Sequence, residues 1–261
     1  MNSSAYDTIR RPKAIITPFN TNSIHLRNPW TLAFWSLLYP GFGHISNGFI
    51  GKGFLLFTGE TLINYKSHLN LAILYSFNGA FQEATQILNI HFFIIYCSVL
   101  VFAIWDSYQL TVECNKLSIL ADREHAVISP TRLSGIGLNS LDKRNPWVSV
   151  AWSMFLPGLG HMYNGLTVLS AIIFIIVSGI IFASHGLEAI MYTLWGDFSQ
   201  ARSVLDWQWF INLPSIYGFA AWDAYVKTVE FNKLFDIEQA QYFKSAYRGH
   251  SLKIPFPPRG G

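Results

Sequence analysis

Two histidines and two aspartates recur in this sequence where a polar side chain could do chemistry. His44 and His161 each follow a Pro-Gly-x-Gly turn, and Asp106 and Asp223 each come directly after a tryptophan. An imidazole can bind a metal ion or carry a proton near neutral pH, and a carboxylate close to a membrane is a candidate functional group. If all four side chains converged, they could form an intramembrane catalytic or proton-relay site.

The same four residues also have structural interpretations. A histidine both donates and accepts hydrogen bonds, so each ring could bond the backbone groups that are freed beside Pro-Gly. Each aspartate could pair with Arg27 or Arg144, or with the exposed end of a neighbouring helix. No cysteine or carboxylate stands near either histidine at metal-ligand spacing. We therefore expect structural roles, with no catalytic residue, no bound metal and no cofactor.

An isolated glutamate, Glu60, lies inside an apolar segment, and Val177 stands at the corresponding place later in the chain. An unpaired carboxylate in the middle of a membrane is costly. Glu60 therefore either lines a polar cavity, which would indicate transport, or lies near the outer headgroups on a short or tilted helix.

Four further polar residues complete the set of candidates. Asn47 and Asn164 follow the two histidines by three residues, and Glu113 and Glu230 each precede a lysine by three residues. Opposite charges at that spacing stabilise a helix by about 0.2–0.5 kcal/mol. The two glutamates are expected on helical extensions that dock onto the rest of the chain.

The sequence contains two ungapped copies of one unit. Residues 27–30, Arg-Asn-Pro-Trp, recur at 144–147, and the same offset of 117 residues relates the two histidines and the two aspartates. No gap is needed from Arg27 to Leu117. Such a period indicates duplication of an ancestral unit, and we name residues 27–117 unit 1 and residues 144–234 unit 2.

Each unit has three apolar segments. They are segment A at 29–39 and 146–156, segment B at 49–65 and 166–184, and segment C at 90–105 and 207–222. Segment A is long enough for about half of a bilayer, whereas B and C are each close to a full span. Between B and C, apolar residues at helical spacing predict a helix that lies along the outer membrane surface, with candidate breaks at Asn78-Gly79 and Trp195-Gly196. Asn212 and Pro214 interrupt the second C, which is expected to pack against protein.

The distribution of basic residues predicts the orientation. Most Lys and Arg flank the units, whereas the B–C connections carry only Lys66 and Arg202. We therefore expect a cytoplasmic N-terminal segment, linker and tail at 1–26, 118–143 and 235–261. Segment A is then a re-entrant half-helix, and the two units are parallel about a pseudo-twofold axis. In the alternative topology, A crosses fully and the repeats are inverted.

Composition agrees with a membrane protein. Hydrophobic residues make up 51% of the chain and charged residues 13%, against about a quarter charged in soluble domains. The formal charge of +3 is too small to indicate a nucleic-acid partner. No apolar core of signal-peptide length precedes Arg27, so no cleaved export signal is expected.

The Gly-rich turns carry a resemblance to a known family. Around residues 40–48 and 157–165, Pro-Gly-x-Gly-His followed by Asn-Gly resembles the TM2 family. That family has a short apolar helix, a Gly-rich turn and a later helix that ends near an aspartate, which Asp106 and Asp223 match. The resemblance implies a small bacterial membrane module with no assigned catalysis. In that family the first helix is taken to span, and the long B–C insertion and the two units depart from it.

The sequence therefore predicts an all-α integral membrane protein with four crossings, two half-helices and two outer surface helices. The expected function is that of a multi-pass accessory or scaffold protein in the bacterial plasma membrane. Its expected partners are the lipid bilayer and other membrane proteins or a second copy. The alternatives are a small transporter or channel with a pathway between the units and, third, the intramembrane enzyme described above.

Overall fold

The structure is a computed structural model that describes residues 13–17, 19, 21–124, 126, 128, 131–134 and 137–247. The described chain is mostly helical, as the sequence predicts. In and before unit 1, the elements are β1 (Ala14–Ile16), β2 (Thr21–Ser23), α1 (Pro29–Leu38), α2 (Phe42–Ser46), α3 (Ile50–Ser67), α4 (Leu69–Phe77), α5 (Phe81–Ile87) and α6 (Ile90–Arg123).

The second half repeats this order. Its elements are β3 (Thr131–Ser134), β4 (Gly137–Ser140), α7 (Pro146–Phe155), α8 (Leu159–Tyr163), α9 (Thr167–Ala183), α10 (Gly186–Leu194), α11 (Phe198–Val204), α12 (Trp207–Phe210) and α13 (Asn212–Ala246). Each helix from α7 to α12 begins 117 residues after its counterpart, as Pro146 does after Pro29. The offset found in the sequence is therefore also the offset of the helices.

Two short antiparallel hairpins were not predicted. In β1–β2, Ala14 pairs with Ser23, and in β3–β4, Thr131 pairs with Ser140 at the same offset of 117 residues. Strands of three or four residues are too short to show the alternation that predicts a strand from sequence. The recurring elements therefore begin before Arg27. The two hairpins lie in residues 1–26 and 118–143, which we expected to be an N-terminal segment and a linker.

Helix α1 has clear start and stop signals. The Asn28 side chain accepts a hydrogen bond from the Trp30 amide at 3.0 Å, and Pro29 occupies the first turn, where it needs no N–H donor. The helix ends before Pro40, and its ten residues span about 15 Å. Helix α7 begins in the same way at Asn145. The two copies of segment A are therefore short helices, as predicted.

The long B segments end at histidines in left-handed backbone conformation. His68 follows α3 with φ 56° and His185 precedes α10 with φ 55°. The chain bends by 66° between α9 and α10. The segment after α3 and α9 was expected as a surface helix with candidate breaks at Asn78-Gly79 and Trp195-Gly196. It is two helices in each unit, and in unit 1 the break falls at Asn78 and at Gly79, which has φ 76°.

The two copies of segment C differ. Helix α6 is unbroken, whereas the second copy is interrupted at Ile211, between α12 and α13. Among the described helices, α6 is long and apolar enough to cross a membrane, and the bent pair of α9 and α10 passes the same test together. Asn212 and Leu213 are buried, so the start of α13 packs against protein, as its polar residues indicated.

Aromatic side chains join the two units. Trp35 of α1 lies 5.5 Å from the ring of Phe219 and 5.0 Å from that of Trp222, both in α13. Phe42 of α2 stacks on Phe219 with a ring separation of 4.1 Å. The core therefore lies where helices of unit 1 pack against α13, and it extends along α9.

Candidate functional site

A Pro-Gly turn places each histidine. Gly41 has φ 106°, which L side chains rarely adopt, and a side chain there would collide with the backbone of Gly53 and Phe57. Gly158 has the same φ and lies equally close to α9, where an added Cβ would come within 2.9 Å of the Ser170 carbonyl oxygen. Because each Pro-Gly turn packs closely against its B helix, α3 or α9, the following helix α2 or α8 points inward. His44 and His161 are therefore completely buried.

In unit 1, His44 pairs with the aspartate of its own C helix. His44 Nε2 lies 2.5 Å from Asp106 Oδ2, and Lys52 Nζ lies 2.6 Å from the same oxygen. The carboxylate keeps some solvent contact, and the Lys52 side chain is 43% exposed. The group is therefore a histidine–aspartate pair closed by a partly hydrated lysine.

In unit 2, the equivalent pair is sealed. His161 Nε2 lies 3.0 Å from Asp223 Oδ2, and neither side chain is exposed. Lys227 Nζ lies 3.8 Å from Asp223 Oδ2 and donates a hydrogen bond of 2.9 Å to the carbonyl oxygen of Ser46 in unit 1. The cation of the second pair therefore also bonds across the contact between units.

These partners differ from those expected from sequence. Each histidine bonds a carboxylate and not a freed backbone group, and each aspartate bonds histidine and lysine and not Arg27 or Arg144. The Nδ1 atoms of both rings have no hydrogen-bond partner among the described residues. The described residues also contain no group of three His, Cys, Asp or Glu side chains that could hold a metal. The two pairs form in separate units.

The asparagines fix the same helices to segment C. Asn47 Nδ2 donates to Thr111 Oγ1 at 2.8 Å, and Asn164 Oδ1 accepts from Thr228 Oγ1 at 2.8 Å. These are corresponding bonds, because 164 and 228 are each 117 residues after 47 and 111. Asn47 and Asn164 therefore hold the turn against the C helix in both units.

A cluster of charges at one end of the molecule connects the units. Arg27 Nη2 lies 2.7 Å from Glu230 Oε2, and His25 contacts the other oxygen of that carboxylate. Burial works to raise the pKa of Glu230, but Arg27, His25 and Lys227 together outweigh it and hold that pKa below its usual range. The predicted i,i+3 pairing of Glu230 is therefore wrong. Glu113, at the equivalent position, makes no salt bridge within the described chain.

Glu60 belongs to a buried amide network at the opposite end of the unit contact. Asn64 Nδ2 donates to Glu60 Oε1 at 3.0 Å, and Gln208 Nε2 donates to Asn64 Oδ1 at 2.9 Å. Asn70 Nδ2 donates to Asn212 Oδ1 at 3.0 Å. Glu60 and Asn64 are on α3 and Gln208 is on α12, so the network joins the units.

Several of these residues were not among the sequence candidates: Arg27, Ser46, Asn64, Asn70, Gln208, Asn212 and Lys227. A signal for most of them was present, because the two copies differ in polarity there. Lys227 corresponds to Leu110, Asn64 to Ile181 and Asn212 to Ile95. Where a polar residue in one copy corresponds to an apolar residue in the other, the position indicates a contact that one unit makes and the other does not.

Comparison with known proteins gives no assignment: no protein-family model, no curated protein and no solved structure matches this chain.

Proposed function

We propose that the protein is a multi-pass membrane scaffold that acts by binding other membrane-embedded protein surfaces, without catalysis. The observation that carries this proposal is the closed contact between the units. Aromatic rings fill it at Trp35, Phe42 and Phe219, and direct side-chain bonds close it at both ends. Polar groups of both units bond one another across it, which suits a rigid frame.

Exposed apolar side chains support the membrane location. Leu55 on α3, Val101 on α6, Ile175 on α9 and Phe182 at the end of α9 are all largely exposed. Side chains of this kind favour hydrocarbon over water by about 1.5–3 kcal/mol each. Segments B and C then cross the membrane in each unit, and the bent ends α4–α5 and α10–α11 lie at its outer surface.

The proposed orientation is parallel, with both termini in the cytoplasm. Arg27 and Arg144 lie at the start of the two units. The side chain of Asn115 bonds the backbone N–H and C=O of Arg27, and Asn232 bonds those of Arg144, with distances of 2.9 and 2.8 Å in each unit. Arg27 also pairs with Glu230 of unit 2, so the ends of both C helices lie on the same side, which fits two copies with one orientation. Each unit is then a TM2-like module, with segment A as a short re-entrant helix.

The burial of both histidine rings supports a structural role for the histidine–aspartate pairs. Both rings are inaccessible, and the nearby hydroxyls of Ser36 and Ser153 are buried without bonding either ring. A nucleophile needs a base within hydrogen-bond reach and access for a substrate. The pairs instead hold each Gly-rich turn against its C helix.

A transporter is the second candidate, and Glu60 is the observation that favours it. Its side chain is buried, and its Oε2 atom has no hydrogen-bond partner within 3.5 Å among the described residues. Flux of protons or alkali cations into vesicles that contain the purified protein, abolished by Glu60→Gln, would favour this function over a scaffold.

Two measurements test the proposal. In a variant without native cysteines, Asp142→Cys should resist a membrane-impermeant maleimide in intact cells, whereas Ser199→Cys should react; both residues are exposed. The reverse pattern would refute the orientation. A photoreactive residue at Phe102 or Phe174 should then give discrete protein adducts in cells, and adducts with lipid alone would refute the scaffold function.

A further inference from the structure

The contact between the units uses a different surface of each. Unit 1 contributes α1 to α4, which we call its AB surface, with Trp35 and Phe42 at the centre. Unit 2 contributes α12 and α13, which we call its C surface, with Phe219 at the centre. The pseudo-twofold arrangement expected from sequence would bring the other two surfaces together as well, because an isologous contact uses each surface twice.

The AB surface of unit 2 is uncovered. Phe57 of unit 1 is 4% exposed, whereas its counterpart Phe174 is 45% exposed. Trp152, the counterpart of Trp35, is also exposed and has no ring partner among the described residues. Residues of the type that forms the unit contact are therefore present here but left exposed.

The C surface of unit 1 is uncovered in the same way. Phe219 is 2% exposed, and its counterpart Phe102 is 46% exposed. Trp105, the counterpart of Trp222, is exposed as well. The contact is thus heterologous, and it leaves one AB surface and one C surface open on each chain.

The charges at the end of the contact are also duplicated. Arg27 and Glu230 form a buried salt bridge between the AB surface of unit 1 and the C surface of unit 2. Arg144 and Glu113 occupy the equivalent positions on the open surfaces, where Glu113 is exposed and Arg144 Nη1 bonds the carbonyl oxygen of Tyr163. Both members of a second salt bridge are therefore present on one chain, on surfaces that do not meet.

Resting on the proposed scaffold function, we infer that the partner of these open surfaces is a second copy of this chain. The AB surface of unit 2 binds the C surface of unit 1 in the next copy, and Arg144 pairs with Glu113 of that copy. Such a head-to-tail contact produces a ring if it closes and a row of copies if it does not.

Polar groups give this contact its specificity. Apolar side chains pack about as well against lipid as against protein, so close packing and polar bonds decide which membrane surfaces associate. Positions of the Glu60 network are apolar on the open surfaces, where Leu187 is the counterpart of Asn70 and Ile95 that of Asn212. The Arg144–Glu113 pair is then the main polar link between copies.

Charge reversal in two variants tests the contact. Full-length protein is labelled with donor or acceptor dye and reconstituted at low density in phosphatidylcholine vesicles, and energy transfer reports association. Arg144→Glu and Glu113→Arg should each weaken self-association by roughly tenfold or more, because like charges then face each other. A mixture of the two variants should associate as well as the wild type, since each meets the opposite charge on the other.

Lys143→Glu is the matched control. Lys143 is exposed and pairs with Asp236 on α13, so the same change of charge there should leave association unchanged. Recovery in the mixture cannot come from misfolded chains. A monomeric wild type, or a mixture no better than either variant alone, would overturn the inference. If photo-adducts at Phe102 then contain other proteins, the scaffold function stands and only the choice of partner fails.

Discussion

The histidine–aspartate pairs of the two units share one geometry but differ in their cation. In unit 1 the cation is Lys52, which reaches Asp106 from the start of α3 and stays 43% exposed. In unit 2 it is Lys227, which lies one helical turn after Asp223 and is buried. At the position equivalent to Lys52, unit 2 has Leu169, which is buried in the core.

This difference follows from the position of each pair in the assembly. Asp106 lies on the open C surface of unit 1, whereas Asp223 lies on the C surface that unit 1 covers. A covered carboxylate needs a cation that is buried with it, because an unpaired buried charge is far more costly than an exposed one. Lys227 meets that need and also bonds Ser46 of the other unit. The pair is common to both units, and Lys227 fits the second copy to a buried contact.

The largest expected effect is a difference in stability between variants of Asp223 and variants of Asp106. Asp223→Asn keeps an acceptor for His161 but leaves Lys227 as an uncompensated buried charge, so we expect a loss of about 3–5 kcal/mol in the free energy of unfolding. Asp106→Asn leaves Lys52 free to reach water, and the expected loss is about 1 kcal/mol or less. Denaturant titration in mixed micelles measures both.

A double variant sharpens this comparison. Lys227→Met combined with Asp223→Asn removes both charges, so it should be more stable than Asp223→Asn alone. Lys52→Met combined with Asp106→Asn should differ little from Asp106→Asn. Equal losses from Asp223→Asn and Asp106→Asn would show that burial of the unit contact does not separate the two pairs.

The sequence predicted local features better than contacts. The bounds of α1, α3 and α9 agree with the predicted segments to within two residues, because Asn-Pro starts, Pro-Gly breaks and apolar length are local signals. His44 and Asp106 bond each other although they are 62 residues apart in the chain. No local sequence pattern specifies a bond over that separation. The period of 117 residues predicts two similar units, but it does not say which of their surfaces meet.

A smaller effect should be equal in the two units. Gly43 and Gly160 lie where α2 and α8 cross the A and C helices, and an added Cβ would come within about 3 Å of Ser107 in unit 1 and of Ala224 in unit 2. Each glycine changed to alanine should cost about 1–3 kcal/mol through overpacking. The intra-unit crossing is the same in both copies, so a large difference would contradict the comparison.

Two other glycines serve as controls for this measurement, one in each unit. Gly59 in α3 and Gly179 in α9 have no heavy atom within 4 Å of an added Cβ. Alanine is the better helix former by about 1 kcal/mol. Gly59→Ala and Gly179→Ala should therefore leave stability unchanged or slightly raised. If they are as harmful as the changes at the crossings, overpacking is not the cause of the loss.

The smallest expected effect is a pH dependence at the contact between the units. Burial lowers the pKa of His25 below its ordinary value of 6.5, and the nearby Glu230 carboxylate only partly opposes this shift. Arg27 Nε lies 2.7 Å from His25 Nε2, and the same nitrogen contacts Glu230 Oε1. The folded state therefore favours neutral His25. As pH falls below about 6.5, His25 binds a proton in the unfolded chain before it does so in the folded protein. The free energy of unfolding therefore declines until the pH reaches the lower pKa of His25 in the folded state.

Glu230 does not contribute to this decline at the same pH. Its pKa lies below the ordinary value of 4.5, so its stabilising effect is present above pH 4.5 and is lost only at lower pH. His25→Gln keeps an acceptor for Arg27 and does not titrate, so it should reduce the slope of unfolding free energy between pH 6.5 and 4.5. Asp142→Asn changes the equivalent residue in the second copy, which is exposed beside the open surface, and should leave that slope unchanged. If the slope persists in His25→Gln, or falls equally in both variants, protonation at the mated contact is not its source.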